Sequence, residues 1–191
     1  MGTGPPDPGF AIWLTGLPSS GKTTLAEKLR EVFSNRGIHT QVLDSDELRT
    51  WLTPDPAYSQ EERDWFYQAM VHIAALLTDN GVPLVIAATA PRRAYRQAAR
   101  DLIRRCAVVY LRCTVIVCQD RDTKGLWERA IKGEIENLPG VGAPYEIPLE
   151  PEVIVDTKLL SPDQAAMHIL QVLDTIGFLN EPDKDAAGDQ L

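Results

Sequence analysis

Eight consecutive residues, Gly16-Leu17-Pro18-Ser19-Ser20-Gly21-Lys22-Thr23, have glycine, glycine-lysine and threonine at the spacing of a phosphate-binding loop. Each residue type has a task there that others perform badly. Glycines let the backbone curl until successive N–H groups point inward, an anion nest at the head of the next helix. Lys22 sets a point charge on β- and γ-phosphates, and the Thr23 hydroxyl offers one oxygen to Mg²⁺. The chemistry implied is phosphoryl transfer from ATP. Gly16, Leu17, Pro18, Ser19, Ser20, Gly21, Lys22, Thr23 and Thr24 are the expected nucleotide-binding residues, Lys22 is catalytic, and Thr23 is the metal ligand.

A second constellation begins at Asp44-Ser45-Asp46-Glu47-Leu48-Arg49. It follows an apolar strand, where ligands gather in open α/β sheets. A phosphate-loop enzyme commonly ends another strand in a metal-orienting carboxylate, yet Leu84-Val85-Ile86-Ala87-Ala88-Thr89 ends without one. Asp44 and Asp46 are therefore the expected oxygens around the metal's water, and Asp46 is suited to accept a hydroxyl proton from the phosphoryl acceptor. Asp44 with Glu47 also has the spacing of a helix capping box. Arg49 and Arg63 are candidates for bidentate contacts to an anionic acceptor, and the Tyr58 ring for packing on a planar one. Glu61 and Glu62 beside Arg63 equally suit a solvated helix. Arg92, Arg96 and Arg100 recur at helical spacing and read as a solvated face before an anion site. His39, His72 and His168 are scattered without ligand spacing.

These residues need elements to hold them. Apolar runs at 10–14, 40–43, 82–87, 108–111 and 153–155 predict buried strands. Between them, 23–36 keeps Leu25, Leu29, Val32 and Phe33 on one face, and 60–79 does so with Phe66, Met70, Ile73, Ala74 and Leu77. Asn35-Arg36-Gly37 and Asp79-Asn80-Gly81 are stop signals before the next strands. Strand–helix alternation of this kind predicts an α/β domain at 10–179, a parallel sheet flanked by helices of the P-loop NTPase type. The stretch 121–148 is charged and broken by glycines and prolines where a crossover belongs, so it is expected to be an irregular, mobile lid. Residues 1–9 read as a disordered leader and 180–191 as a disordered acidic tail.

Composition narrows the partners. A chain of 191 residues with 44% hydrophobic content supports one sizeable core. A net charge of −8 favours neither a nucleic-acid backbone nor an anionic membrane, so a small molecule is the expected partner. Three cysteines, Cys106, Cys113 and Cys118, without paired spacing read as reduced thiols. With no signal segment or membrane-length apolar run, a cytoplasmic enzyme is expected.

Taken together, the loop from Gly16 to Thr24, the segment Leu43-Asp44-Ser45-Asp46 with Arg49, and the run Arg121-Asp122-Thr123-Lys124-Gly125-Leu126 followed by Gly133-Glu134-Ile135, Asn137 and Pro144-Tyr145-Glu146 resemble the adenylylsulfate (APS) kinase family. The resemblance implies a dimer of parallel-sheet kinase domains that moves the ATP γ-phosphate to the ribose 3′-hydroxyl of adenylyl sulfate. It places Asp44 and Asp46 at the family's paired carboxylates, Arg49 and Arg63 at its substrate-holding arginines, Tyr58 at an adenine-stacking ring, and Lys124 at the lid lysine. Where the family has a second stacking aromatic this chain has Leu138; a substrate-contacting asparagine is Phe66, a serine is Ala90 and a lid aspartate is Gly142. Three functions fit these residues: an adenylylsulfate kinase, a kinase of the same build acting on another hydroxyl compound, and a nucleotide-binding module without turnover.

Overall fold

The structure, a computed structural model, describes residues 6–180. Five strands form one all-parallel sheet in the order β2-β3-β1-β4-β5: β1 (Ala11–Thr15), β2 (Gln41–Asp44), β3 (Leu84–Ala87), β4 (Cys106–Arg112) and β5 (Val153–Asp156). Each predicted strand is present with its ends shifted by at most two residues, which is the usual margin because apolarity marks burial and hydrogen bonding marks the strand.

Alternation along the central strands divides the core in two. Ile12, Leu14, Val85, Val109 and Val155 face α1 (Lys22–Asn35) and α7 (Pro162–Thr175), meeting Leu29, Phe33, Ile169 and Leu173. Trp13, Leu84, Ile86 and Val108 face the other way onto α3 (Gln60–Asp79) and α4 (Arg93–Leu102), meeting Phe66, Met70, Tyr95 and Ala99. Helices on both faces are what a parallel sheet requires, since neither face can be left wet. The α7 helix carries its own start signal, a reciprocal Ser161–Gln164 capping box with proline in the first turn.

The lid stretch is more ordered than its composition predicts. It contains α6 (Leu126–Ile131), preceded by α5 (Val115–Asp120), and these enclose a small core of Cys118, Trp127, Ala130 and Leu138 against which Leu17 packs. The correction has a local cause: one six-residue helix with a single buried tryptophan is too short for helical periodicity to register among charged neighbours. The indole N–H of Trp127 donates to the Pro18 carbonyl at 3.3 Å, tying this small core to the phosphate loop.

Of the expected leader, residues 1–5 lie outside the described residues, and Gly9 is buried with its N–H donated to the Thr78 carbonyl at 2.7 Å. Residues 181–191 of the expected tail also lie outside them. Among the described residues, no helix is long and apolar enough to cross a membrane.

Candidate active site

The phosphate loop joins the C-terminal end of β1 to α1. Gly16 is required by space, because a Cβ there would lie 2.8 Å from the Leu111 carbonyl oxygen and 2.8 Å from Ser20 Oγ. Gly21 is required by conformation, with φ at +97° on the N-cap of α1. Lys22 Nζ turns back onto the loop and donates to the carbonyls of Gly16 at 3.1 Å and Leu17 at 2.8 Å. Burial lowers its pKa to about 8, against the opposing pull of Asp46 and Asp44. Pro18, Ser19, Gly21, Lys22, Thr23 and Thr24 line a cleft of about 540 Å³. Three expected loop residues do not line it: Gly16 lies behind Lys22, Leu17 packs on the lid core, and Ser20 is fully buried with no partner for its hydroxyl among the described residues.

Sheet topology explains where Asp44 sits. Asp44 ends β2 in register with Ala87 of β3, which itself pairs with Leu14 of β1. Two strand spacings put Asp44 about 10 Å from the end of β1, and the first turn of α1 crosses that gap: Thr23 donates its hydroxyl to Asp44 Oδ2 at 2.7 Å. The other oxygen, Oδ1, accepts from the Asp46 amide at 2.8 Å and caps α2 (Ser45–Leu52). The capping-box expectation is corrected in its detail, because the cap is made to Asp46 and Glu47 takes no reciprocal part. A hydroxyl and a carboxylate sharing one hydrogen bond are hard oxygen donors of the kind Mg²⁺ takes alongside phosphate oxygens and water. No cluster of three His, Cys, Asp or Glu side chains suited to a metal occurs among the described residues, so protein donors here supply only part of a coordination sphere.

The remaining wall is assembled from three separate stretches. Lys124 of the lid reaches Asp46 Oδ2 at 2.6 Å, and this hydrogen bond raises the lysine's pKa. Arg49 is 7% exposed, and Arg63, which the sequence leaves open as solvated, is 8% exposed. Arg63 donates to the carbonyls of Tyr58 at 3.1 Å and of Asn137 in the lid at 2.6 Å, and burial lowers its pKa. Tyr58 stands in a left-handed conformation, φ +53°, with its ring partly exposed to the cleft. Leu138 also lines the cleft but is only 7% exposed, so it gives a base far less surface than a free bracketing side chain. Phe66 does not reach the cleft; its ring lies 3.7 Å from the Arg49 guanidinium carbon. Ala90 is fully buried in a left-handed turn, its amide donated to the Tyr67 hydroxyl at 3.0 Å and its carbonyl accepting from Arg96.

That last contact corrects the reading of Arg96 as solvated. It is 3% exposed, donates to the carbonyls of Ala90 and Glu146, and lies over the Tyr145 ring. Arg100 likewise bonds the Glu150 carbonyl and pairs with Glu152 at 2.7 Å. Both arginines staple the return from lid to β5. Helical spacing alone cannot reveal this, because the groups that cover them lie about 50 residues away. Tyr67, Thr89, Arg121, Thr123, Leu126 and Ile135 also line the cleft. The sequence does not single out Tyr67 or Thr89, and both read locally as core and strand-end residues. The thiols of Cys106, Cys113 and Cys118 are free, and burial pushes Cys106 and Cys118 up to about 12.

A phosphate loop at the end of the central strand of a 2-3-1-4-5 parallel sheet, with an opposing carboxylate and a lid lysine in one cleft, defines a P-loop phosphotransferase. Residues 8–156 match the adenylylsulphate kinase family, and the chain belongs to it. It is 39% identical over 171 residues to a probable adenylyl-sulfate kinase of Pyrococcus abyssi, covering 90% of this chain and 98% of that one. It is 37% identical over 171 residues to a probable bifunctional SAT/APS kinase 2 of Sorangium cellulosum, covering 90% of this chain but only 29% of that longer protein. Its fold superposes on the Mycobacterium tuberculosis APS kinase CysC, solved in complex with AMPPNP and APS, with a TM-score of 0.83, 31% identity, and coverage of 88% of this chain and 99% of that one.

Proposed function

We propose that this chain transfers the γ-phosphate of ATP to the 3′-hydroxyl of adenylyl sulfate, giving 3′-phosphoadenylyl sulfate and ADP. The observation that carries the proposal is a single cleft with the phosphate loop at one end and Tyr58, Arg49, Arg63 and Lys124 at the other, in a member of the adenylylsulphate kinase family. The loop amides and Lys22 hold the β- and γ-phosphates, Lys22 leaving its two carbonyl partners to do so. Thr23 and Asp44 would hold Mg²⁺, which when bound neutralises phosphate charge and polarises the phosphoryl group. Asp46 orients the acceptor hydroxyl and takes its proton as the new O–P bond forms and the bond to the leaving ADP breaks; Lys124 fixes the carboxylate from the lid side. Tyr58 stacks on the adenine, the buried Leu138 closes the opposite side, and Arg49 and Arg63 hold the acceptor's anionic groups.

Residues 10–179 form the kinase domain in this reading, with 121–148 as its lid. The three free thiols favour the reducing cytoplasm. A homodimer is the proposed assembly, with Trp51 and Trp65, 81% and 49% exposed, as surface it would cover; light scattering in solution checks it. The decisive assay is ATP and Mg²⁺ with adenylyl sulfate, followed by detection of the 3′-phosphorylated product. The narrow exposure of Leu138 favours one second reading, a smaller hydroxyl acceptor. It takes precedence if ATP is consumed with another alcohol but not with adenylyl sulfate.

A further inference from the structure

The Glu62 carboxylate occupies a junction that no catalytic role above uses. Its Oε1 accepts from Arg49 Nη1 at 2.9 Å, and its Oε2 accepts from the backbone N–H of Ala57 at 2.6 Å and of Tyr58 at 2.9 Å. The side chain is 17% exposed. Ser59-x-x-Glu62 has the spacing of a capping box, in which the glutamate would reach back to the N-cap amide. The Ser59 hydroxyl does cap α3 by accepting from the Glu62 amide at 3.2 Å. The carboxylate instead passes Ser59 and takes the two amides before it. It therefore does more than cap a helix: it fixes the left-handed turn that carries the Tyr58 ring. It simultaneously holds Arg49, whose guanidinium lies 3.7 Å from the Phe66 ring centre and 5.0 Å from that of Tyr58.

We propose that Glu62 is the positioning residue of the acceptor site, holding Tyr58 and Arg49 in register so that ring and guanidinium meet the acceptor together. This rests on the assignment of that wall to the acceptor. All three partners of Glu62 are donors, so the hub needs a group that only accepts, at both ends. Glutamine cannot supply one. Its single acceptor oxygen serves either Arg49 or the two amides, and its NH₂ then faces donors at the other end. The phosphate loop shares none of these contacts, so the donor half is independent of the hub.

Glu62→Gln is expected to raise the KM for adenylyl sulfate about 10- to 100-fold, the weight of a lost charge-assisted hydrogen bond, and to leave the KM for ATP within about threefold. Glu61→Gln, on an exposed neighbour, matches the unchanged chain. Hydrogen exchange reads the hub without substrate: the Ala57 and Tyr58 amides exchange at least about tenfold faster in Glu62→Gln, while the Asp46 amide, bonded to Asp44, does not. An acceptor KM within twofold of the unchanged chain despite faster exchange overturns the proposal. So do equal rises in both KM values, which mark a merely structural residue. If the unchanged chain does not phosphorylate adenylyl sulfate, the acceptor assignment falls, and exchange at Ala57 and Tyr58 alone decides the hub. Should Glu62→Gln fail to fold, Glu62→Asp, whose stem is one methylene too short to reach Arg49 and the two amides together, is judged by the same criteria.

Discussion

Binding of ATP at alkaline pH is expected to take up a proton at Lys22. In the free protein its ammonium group is held among loop carbonyls in a site whose burial lowers the pKa from 10.5 to about 8. Free Lys22 is then about one-tenth neutral at pH 7, one-half at pH 8 and nine-tenths at pH 9. Phosphate oxygens favour the ammonium form and return the pKa to its ordinary range or above. Uptake should therefore be about 0.1, 0.5 and 0.9 protons per ATP at the three pH values. Titration calorimetry in buffers of different ionisation enthalpy reads this number as the slope of observed heat against buffer enthalpy. The same linkage acts on stability. Between about pH 8 and 10.5 the unfolded chain keeps a proton that the native chain has released, so native stability rises across that window, by about 3 kcal/mol at most. Saturating ATP should remove that rise. Uptake indistinguishable from zero at pH 8 and pH 9 would refute a desolvated Lys22.

Asp46→Asn should lower kcat by about 100-fold or more, the usual weight of a positioned proton acceptor, with ATP affinity retained in a binding titration; an unchanged kcat would remove Asp46 from the chemistry. Trp127→Ala empties the lid core and its link to Pro18 at a local cost of about 3–5 kcal/mol, so limited proteolysis should cut 121–148 first while the sheet stays folded. Gly142→Asp puts a Cβ 1.7 Å from the Glu136 carbonyl oxygen. The lid turn must then rearrange, and turnover should fall far more than ATP binding; equal losses in both would show that the turn is not coupled to acceptor capture.

The helices 60–79 and 23–36 were legible because long amphipathic repeats carry their own phase, and α3 has the predicted ends. The same periodicity misleads at Arg96 and Arg100. It reports which residues share a helix face, whereas their burial comes from the 146–152 return that crosses that face. The lid helix is illegible in the sequence for the opposite reason: six residues contribute too little repeat to register.

The phosphate loop was determined by sequence alone, since its function lies in contiguous backbone N–H groups and one lysine, and glycine spacing is enough to specify such a curl. The pairing of Thr23 with Asp44 was half determined: Asp44 was legible at a strand end, but its meeting with Thr23 depends on β2 lying two strands from β1. Only the tertiary structure decided how the wall facing the phosphate loop is assembled. Asp46, Tyr58, Arg63, Lys124 and Leu138 come together because parallel crossovers bring distant loops to one end of the sheet, and their burial depends on packing between segments that no local pattern encodes.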